Sequence, residues 1–183
     1  EKNFKIKLVP TARKVNKKDI VTYVLPKLVA KDDFLYNVEN EYNAVTVQAA
    51  FADKQFFFGK GAGGHPTGAA VLSDIAALRY DYRYEYKKYH SENGVKHTED
   101  ILLEVYLRYA DEDLISLLEF DNISERYAAN EYKYVIGTVK LDSLIKNRDL
   151  LLDKNVFIAY TGRQIYKQEQ VAENVFSEEL AAL

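Results

Sequence analysis

A glycine-rich loop is the feature that most restricts how this chain can fold. Four of the six residues from Gly59 to Gly64 are glycine, and Pro66 and Thr67 follow closely. Glycine permits a positive φ and lets a ligand approach the backbone. The loop lies between a β-favouring run and a helical run that begins near Pro66, a residue suited to a first helical position. A packing turn would need fewer glycines, so we expect the loop to face a ligand.

The spacing of Gly59, Gly61 and Gly64 also satisfies the G-x-G-x-x-G pattern of dinucleotide-binding folds. That pattern is informative only in a βαβ unit with an acidic residue about 20 positions further on. A long helical run and a tyrosine-rich stretch follow here instead. The sequence therefore argues against a complete dinucleotide-binding fold in this chain.

Four β-favouring runs precede the loop, at residues 5–15, 19–29, 43–51 and 54–58, with a short turn or helix at residues 30–38. Alternating apolar residues from Val45 to Phe51 predict one apolar sheet face, and the phenylalanines at residues 56–58 are expected to thicken a core beneath it. The helix after the loop is predicted to continue to His90. Its tyrosines suit packing against neighbouring domains better than stacking on nucleobases, since Asp81 and Glu85 dilute the basic charge.

A polar stretch with an Asn-Gly pair predicts a linker at residues 91–100. Strands are predicted beyond it at residues 101–109, 132–140 and 156–160, alternating with helices at 112–127 and 141–154. The expected fold class is α+β: a mixed or antiparallel sheet with a long helix, then a small α/β sandwich with helices on one face. The predicted domains are residues 1–90 and 101–162, followed by a tail at 163–183 that ends in a weak helix.

Composition excludes several classes of partner. The net charge of −3, with 29% charged residues of both signs, gives no basis for binding a nucleic-acid backbone. No apolar run approaches the roughly 18 to 20 residues that span a bilayer, and we expect a cytosolic protein with no membrane partner. With no Cys and only three His, neither disulfides nor a metal site is expected.

Residues around the loop resemble the homoserine dehydrogenase family. The similar segments are KIKLVPTARKV at 5–15, PKLVAKDDFLYNVENEYNAV at 26–45 and FFFGKGAGGHPTGAAVLSDI at 56–75. Together they cover roughly the first 80 residues, and the order of strand, glycine loop and helix agrees along with the letters. His65 stands where an apolar residue is common in the family, and Gly68 stands where alanine is usual. These two departures affect the expected shape of the pocket more than the resemblance itself.

The resemblance implies reversible interconversion of homoserine and aspartate 4-semialdehyde with NAD or NADP, on the route to threonine and methionine. It implies that the loop closes over the nicotinamide and substrate end of the site. The implied contacts are Gly61, Ala62, Gly63, Gly64 and Thr67. Lys60 and His65 are expected at its edge, and Asp74 is expected to be structural at least as much as catalytic.

In relatives the cofactor is held mainly by an N-terminal domain, and the proton-transferring lysine and carboxylate lie upstream of the strand that matches residues 5–15. No catalytic residue is therefore expected in this chain, which should be inactive alone. The sequence contains no Met, even at position 1. We expect either an excised C-terminal piece of a longer enzyme or a sequence that lacks some residues.

Residues 101–162 resemble the ACT-type regulatory domain found in many members of the family. Glu112 and Asp113 stand where effector-binding domains usually carry a glycine, and two acids would disfavour an amino-acid carboxylate. A packing or dimer-forming role is expected instead, with a homodimer that pairs sheets around residues 43–58. Two alternatives stay open: a stand-alone amino-acid-sensing or dimerisation module, and a soluble α/β binding protein.

Overall fold

The computed structural model describes residues 3–82, 94–130, 132–152 and 155–165. It divides into two compact units, the first made of Glu1–Lys5 with Val29–Gly94 and the second of Ile6–Leu28 with Val95–Leu183. Contacts thus group the first hairpin with the C-terminal half, whereas the predicted division at residues 91–100 placed it with the glycine loop. The reason is strand pairing across the sheet of the second unit.

The described residues form nine strands and four α-helices. The strands are β1 (Phe4–Lys14), β2 (Asp19–Ala30), β3 (Tyr42–Ala49), β4 (Asp53–Lys60), β5 (Lys96–His97), β6 (Leu102–Tyr109), β7 (Asn122–Ala128), β8 (Lys133–Lys140) and β9 (Phe157–Ile165). The helices are α1 (Gly64–Arg79), α2 (Asp113–Leu118), α3 (Leu141–Lys146) and α4 (Arg148–Leu151), and a 3-10 helix covers Phe34–Asn37. The mixed α+β class is as predicted.

The second unit is built on a seven-stranded sheet in the order β1-β2-β9-β6-β8-β7, with β5 parallel to β2. The pairs β9–β6, β6–β8 and β8–β7 are antiparallel, whereas β9 pairs with β2 in parallel, with Lys27 opposite Tyr160. The run β6-α2-β7-β8-α3-β9 is a split β-α-β arrangement of the ferredoxin-like kind. Helices and strands therefore alternate here as the sequence predicted.

The core of the second unit lies on one face of this sheet. Alternation in β6 turns Leu103, Val105 and Leu107 inward with no exposed area, where Leu118 of α2 and Leu144 of α3 pack against them. The Ser143 hydroxyl donates to the Leu118 carbonyl oxygen at 2.8 Å and joins the two helices. The other face carries the polar and aromatic alternates of β6, such as Tyr106 and Arg108.

One helix prediction in this unit was wrong, and a second predicted helical stretch is interrupted. The helix predicted at residues 112–127 ends at Leu118, because Glu119 adopts a left-handed φ of 51°. A strand follows, and the middle hairpin of the sandwich is complete. The helix predicted at 141–154 is two short helices that meet at Asn147, whose side chain donates to the Ser143 carbonyl oxygen at 2.9 Å.

The first unit holds an antiparallel hairpin, β3 with β4, and α1. The register places Asn43 opposite Gly59 and Tyr42 opposite Lys60. The predicted continuation of the helix to His90 was wrong: α1 ends at Arg79, and Asp81 has a φ of 54°. The tyrosines at positions 84, 86 and 89 lie outside the described residues.

The apolar face predicted for this hairpin is present but uncovered. Val45 and Val47 are 60% and 43% exposed, and Phe57 beside them is also exposed. The opposite face carries stacked rings, with Phe34 and Phe56 at 5.3 Å and Tyr42 and Phe58 at 4.8 Å between centroids. The prediction that the face beginning at Val45 is buried in a core was therefore wrong for the described part of the chain, where no element of this unit covers that face.

Candidate functional site

The glycine loop is three residues long, from the end of β4 at Lys60 to the start of α1 at Gly64. The Gly61 amide donates to the Glu41 carbonyl oxygen at 3.0 Å, which fixes the loop to the turn that leads into β3. A Cβ on Gly61 would lie only 1.5 Å from the Asn43 side-chain nitrogen. Glycine suits this position because the Asn43 amide occupies the space beside it, and a side chain there would have to displace that amide. Two separate parts of the sequence motif are thus in direct contact.

Gly63 and Thr67 form the first turn of α1. Gly63 has a φ of 110°, a conformation that L side chains rarely adopt. The amide and the hydroxyl of Thr67 both donate to the Gly63 carbonyl oxygen, at 3.1 Å and 2.9 Å. The hydroxyl of Thr67 therefore holds the helix start in place.

A cavity of 590 Å³ opens beside this loop. Its lining residues are Glu41, Lys60, Ala62, Gly63, Gly64, His65, Pro66 and Ala69. Three of the expected contacts, Ala62, Gly63 and Gly64, line the cavity, whereas Gly61 and Thr67 do not. A Cβ on Gly64 would meet nothing within 4 Å, so the cavity wall at that point is bare backbone.

The wall offers hydrogen-bond donors. The first amides of a helix have no acceptor within the helix, and no side chain caps the N-terminus of α1 at Gly63. Pro66 has no amide hydrogen, so Gly64 and His65 provide the donors of the first turn. Amides in this position favour an anion or a polarised carbonyl oxygen.

An ion pair stands at the edge of the cavity. Lys60 Nζ lies 2.8 Å from Glu41 Oε1 and 5.3 Å from the centre of the Tyr42 ring. The hydrogen bond from Lys60 lowers the pKa of the Glu41 carboxyl, which is therefore ionised at neutral pH. Sequence reasoning missed Glu41. The hairpin register was the available signal, because it pairs Tyr42 with Lys60.

The remaining predictions concern residues and features outside this cavity. Asp74 lies exposed on α1, outside the cavity lining. Within the described ranges, His, Asp and Glu side chains form no group of three or more that could hold a metal ion. Across the same ranges, no helix is long and apolar enough to span a membrane.

Comparison with known proteins was informative for the first part of the chain. Residues 1–76 match the family model described as homoserine dehydrogenase. The homoserine dehydrogenase of Neisseria gonorrhoeae is 39% identical over 75 residues, which are 41% of this chain and 17% of that protein. The Bacillus subtilis homoserine dehydrogenase is 31% identical over 110 residues, 57% of this chain and 25% of that protein. The matching parts thus span a quarter or less of these relatives.

Two solved structures share the fold. The homoserine dehydrogenase of Thiobacillus denitrificans gives a TM-score of 0.59 at 19% identity, over 87% of this chain and 42% of that one. The S. aureus homoserine dehydrogenase at pH 6.0 gives a TM-score of 0.50 at 25% identity, over 88% of this chain and 42% of that one. The likeness of fold thus extends well beyond residue 76. The family model and the relatives agree, and residues 1–76 of this chain are similar to the homoserine dehydrogenase family.

Proposed function

We propose that the glycine loop forms one wall of the active site of an NAD(P)-dependent homoserine dehydrogenase, which interconverts homoserine and aspartate 4-semialdehyde. One observation carries this: the segment that matches the family joins Asn43 to Gly61 and opens directly onto a cavity of 590 Å³. Such an enzyme belongs to the cytosolic supply of threonine and methionine.

The wall suits a flat ring and a polarised oxygen. Gly63 and Gly64 present backbone without side chains, so a nicotinamide ring could lie against them. When bound, NAD or NADP supplies the hydride carrier. The amides of Gly64 and His65 would orient the oxygen of the substrate, and Gly61 and Thr67 would support the loop from behind.

The proton-transferring groups of this reaction are proposed to lie outside residues 1–183. The purified chain should therefore give no homoserine-dependent reduction of NAD or NADP. A rate above that of a blank would contradict this assignment.

A chimera tests the site itself. In the Neisseria enzyme, the matching 75-residue segment is replaced by the corresponding residues of this chain, and homoserine oxidation is followed by NADPH or NADH absorbance. We expect turnover within about tenfold of the parent, since packing differences of roughly 1 kcal/mol are tolerable. A chimera that folds and melts like the parent but has no turnover would refute the proposal.

The exposed hairpin face supports a homodimer. Val45, Val47 and Phe57 form an apolar strip on one side of β3 and β4, and such a face is stabilised by pairing with a second copy. Sedimentation of the Val47→Lys protein should show loss of the dimer. Val24→Lys, on the exposed side of β2, is the matched control and should leave the dimer intact.

We propose that the second unit carries an ACT-like domain with a packing role, covering about residues 101–162 after a linker at 91–100. Support comes from the strand order β9-β6-β8-β7 and from the turn into α2. There the Asp113 amide already donates to Asp111 Oδ1 at 3.0 Å. Glu112 is held by Arg126 at 2.6 Å and Lys133 at 3.0 Å. A threonine would have to displace these bonds.

A further inference from the structure

One carboxylate in the second unit is shared by two cations. Glu112 lies in the turn between β6 and α2, Arg126 lies on β7, and Lys133 begins β8. Arg126 Nη2 is 2.6 Å from Glu112 Oε2, and Lys133 Nζ is 3.0 Å from Glu112 Oε1. Each oxygen of the carboxylate therefore pairs with a different cation, and the turn is tied to both strands of the β7–β8 hairpin.

Strand register explains why the two cations lie together. Arg126 is opposite Val135 on β8, and Lys133 stands two residues before Val135. Side chains two positions apart on a strand point to the same face, so Arg126 and Lys133 are diagonal neighbours on the face that Val135 shares with the core. Like charges on neighbouring strands destabilise the pairing. A carboxylate between them removes that repulsion.

The charge and exposure of this group support the same arrangement. The hydrogen bond from Lys133 lowers the pKa of the Glu112 carboxyl, and the positive charges of Lys133 and Arg126 lower it further, so Glu112 is ionised at neutral pH. The side chains of Arg126, Glu112 and Lys133 are 53%, 45% and 35% exposed. Small anions from solvent could therefore reach both cations if the carboxylate were absent.

We propose that Arg126 and Lys133 form a binding site for one carboxylate group, and that Glu112 of the same chain is its resident occupant. The turn into α2 thereby closes the site against small carboxylates in solution. The pair suits this role, because a guanidinium offers paired donors to a carboxylate and an ammonium adds a second charge. The experiment needs neither homoserine nor a nucleotide, so its outcome does not depend on the proposed dehydrogenase activity.

Chemical rescue in the whole chain tests the proposal, with acetate as the probe. Glu112→Ala leaves the two cations without their carboxylate and should lower the melting temperature by about 3 °C, as expected for loss of an exposed charge network. Exchange of chloride for acetate at constant ionic strength should restore most of that loss, because acetate would bind only the folded site. The unsubstituted chain should show no such rise. No acetate-dependent rise in Glu112→Ala, or an equal rise in the unsubstituted chain, would overturn the proposal.

Asp142→Ala is the matched control. Asp142 is 40% exposed and pairs with a single cation, Lys146, at 2.6 Å. Its loss leaves one cation, so acetate should restore nothing. The double variant Glu112→Ala with Arg126→Gln likewise leaves one cation and should lose the rescue. An acetate-dependent rise in either protein equal to that of Glu112→Ala would refute a site made of two cations.

A double-mutant cycle keeps the proposal testable if Glu112→Ala does not fold. Glu112→Gln keeps the length of the side chain and removes its charge. Its effect on the melting temperature should be much smaller when Arg126→Gln is already present, because the two residues are coupled. The matched cycle with Arg163→Gln should be additive, since Arg163 pairs with Glu104 instead. Additive effects in both cycles would refute the proposal.

Discussion

The two units of this chain differ in how much of their apolar surface they bury. In the second unit, Leu103, Leu107 and Leu118 have no exposed area and share one cluster with helices packed against it. In the first, Leu72 on α1 is 66% exposed, and Val45 is 60% exposed. The second unit therefore contains its own core, whereas the first presents apolar surface on both its helix and its hairpin.

The difference in buried apolar area indicates where each unit obtains its stability. Burial of apolar area is the main favourable term in folding, at about 25 cal/mol per Å². A unit that leaves its apolar residues exposed gains little from this term within the chain. The family match covers residues 29–76 of this less buried unit as well as the hairpin of the second unit. The proposed active-site wall therefore lies in the unit that buries less of its own apolar surface.

A pair of identical substitutions gives the largest expected difference between the units. Leu107→Ala should lower the free energy of unfolding of the second unit by about 2 to 5 kcal/mol, because it leaves a cavity in the core. Leu72→Ala should change stability by less than about 0.5 kcal/mol, as is usual for exposed sites. Urea unfolding followed by circular dichroism measures both. Equal effects would remove the contrast between the two units.

The loop of the first unit should control turnover much more than it controls the fold. In the chimeric enzyme, Gly63→Val should reduce turnover about a hundredfold, because a branched side chain is strained at a φ of 110° and displaces the wall of the cavity. Steady-state kinetics measure the loss, and the melting temperature reports the fold. Activity within about twofold of the unsubstituted chimera would mean that the loop is only a packing turn.

Substitution of His65 tests whether a side chain at the edge of the cavity affects catalysis as strongly as the glycine backbone of its wall. His65→Ala in the same chimera should change KM by only about threefold, on the order of 0.6 kcal/mol, since an edge side chain adds one exposed contact. The initial rate is measured across a range of homoserine concentrations. A several-hundredfold loss of kcat would instead make His65 a catalytic group.

Threonine should have no measurable effect on the second unit. A ligand at 100 times its dissociation constant would stabilise the folded state by about 2.7 kcal/mol, or several degrees in the melting temperature. Melting curves of the chain with millimolar threonine should coincide with those without it. A threonine-dependent rise that is abolished by Glu112→Ala would contradict the proposed packing role and bring the second unit closer to an effector-binding domain.

Sequence reasoning predicted the regular elements wherever periodicity and turn residues agreed. β1 to β4, β6, β8 and the start of α1 lie within a few residues of their predicted bounds. It was wrong for β7, where the charged sequence of Asn122–Ala128 looks helical although the strand is specified by pairing with β8. Pairing across a sheet is a tertiary property, and local preference does not reveal it.

The candidate site could be predicted only in part, because strand register is also a tertiary property. Glycine content identified the loop, but the side chains that reach its cavity depend on register. Glu41 enters the site only because the hairpin places Tyr42 opposite Lys60. The apolar alternation of β3 likewise gave the correct face and could not indicate that this face is uncovered, since periodicity shows a preference for burial and not what provides it.

The contact between Asn43 and Gly61 couples the side chains that these two positions can carry. A side chain added at position 61 would overlap the Asn43 amide. Either the Asn43 side chain must change conformation, or residue 43 must be replaced by a shorter one. Single substitutions at position 61 should therefore be tolerated only as far as the Asn43 side chain can turn aside, while pairs that also shorten residue 43 remove the overlap. A mutant library that varies the strand and the loop together would explore sequences that position-by-position scanning never reaches.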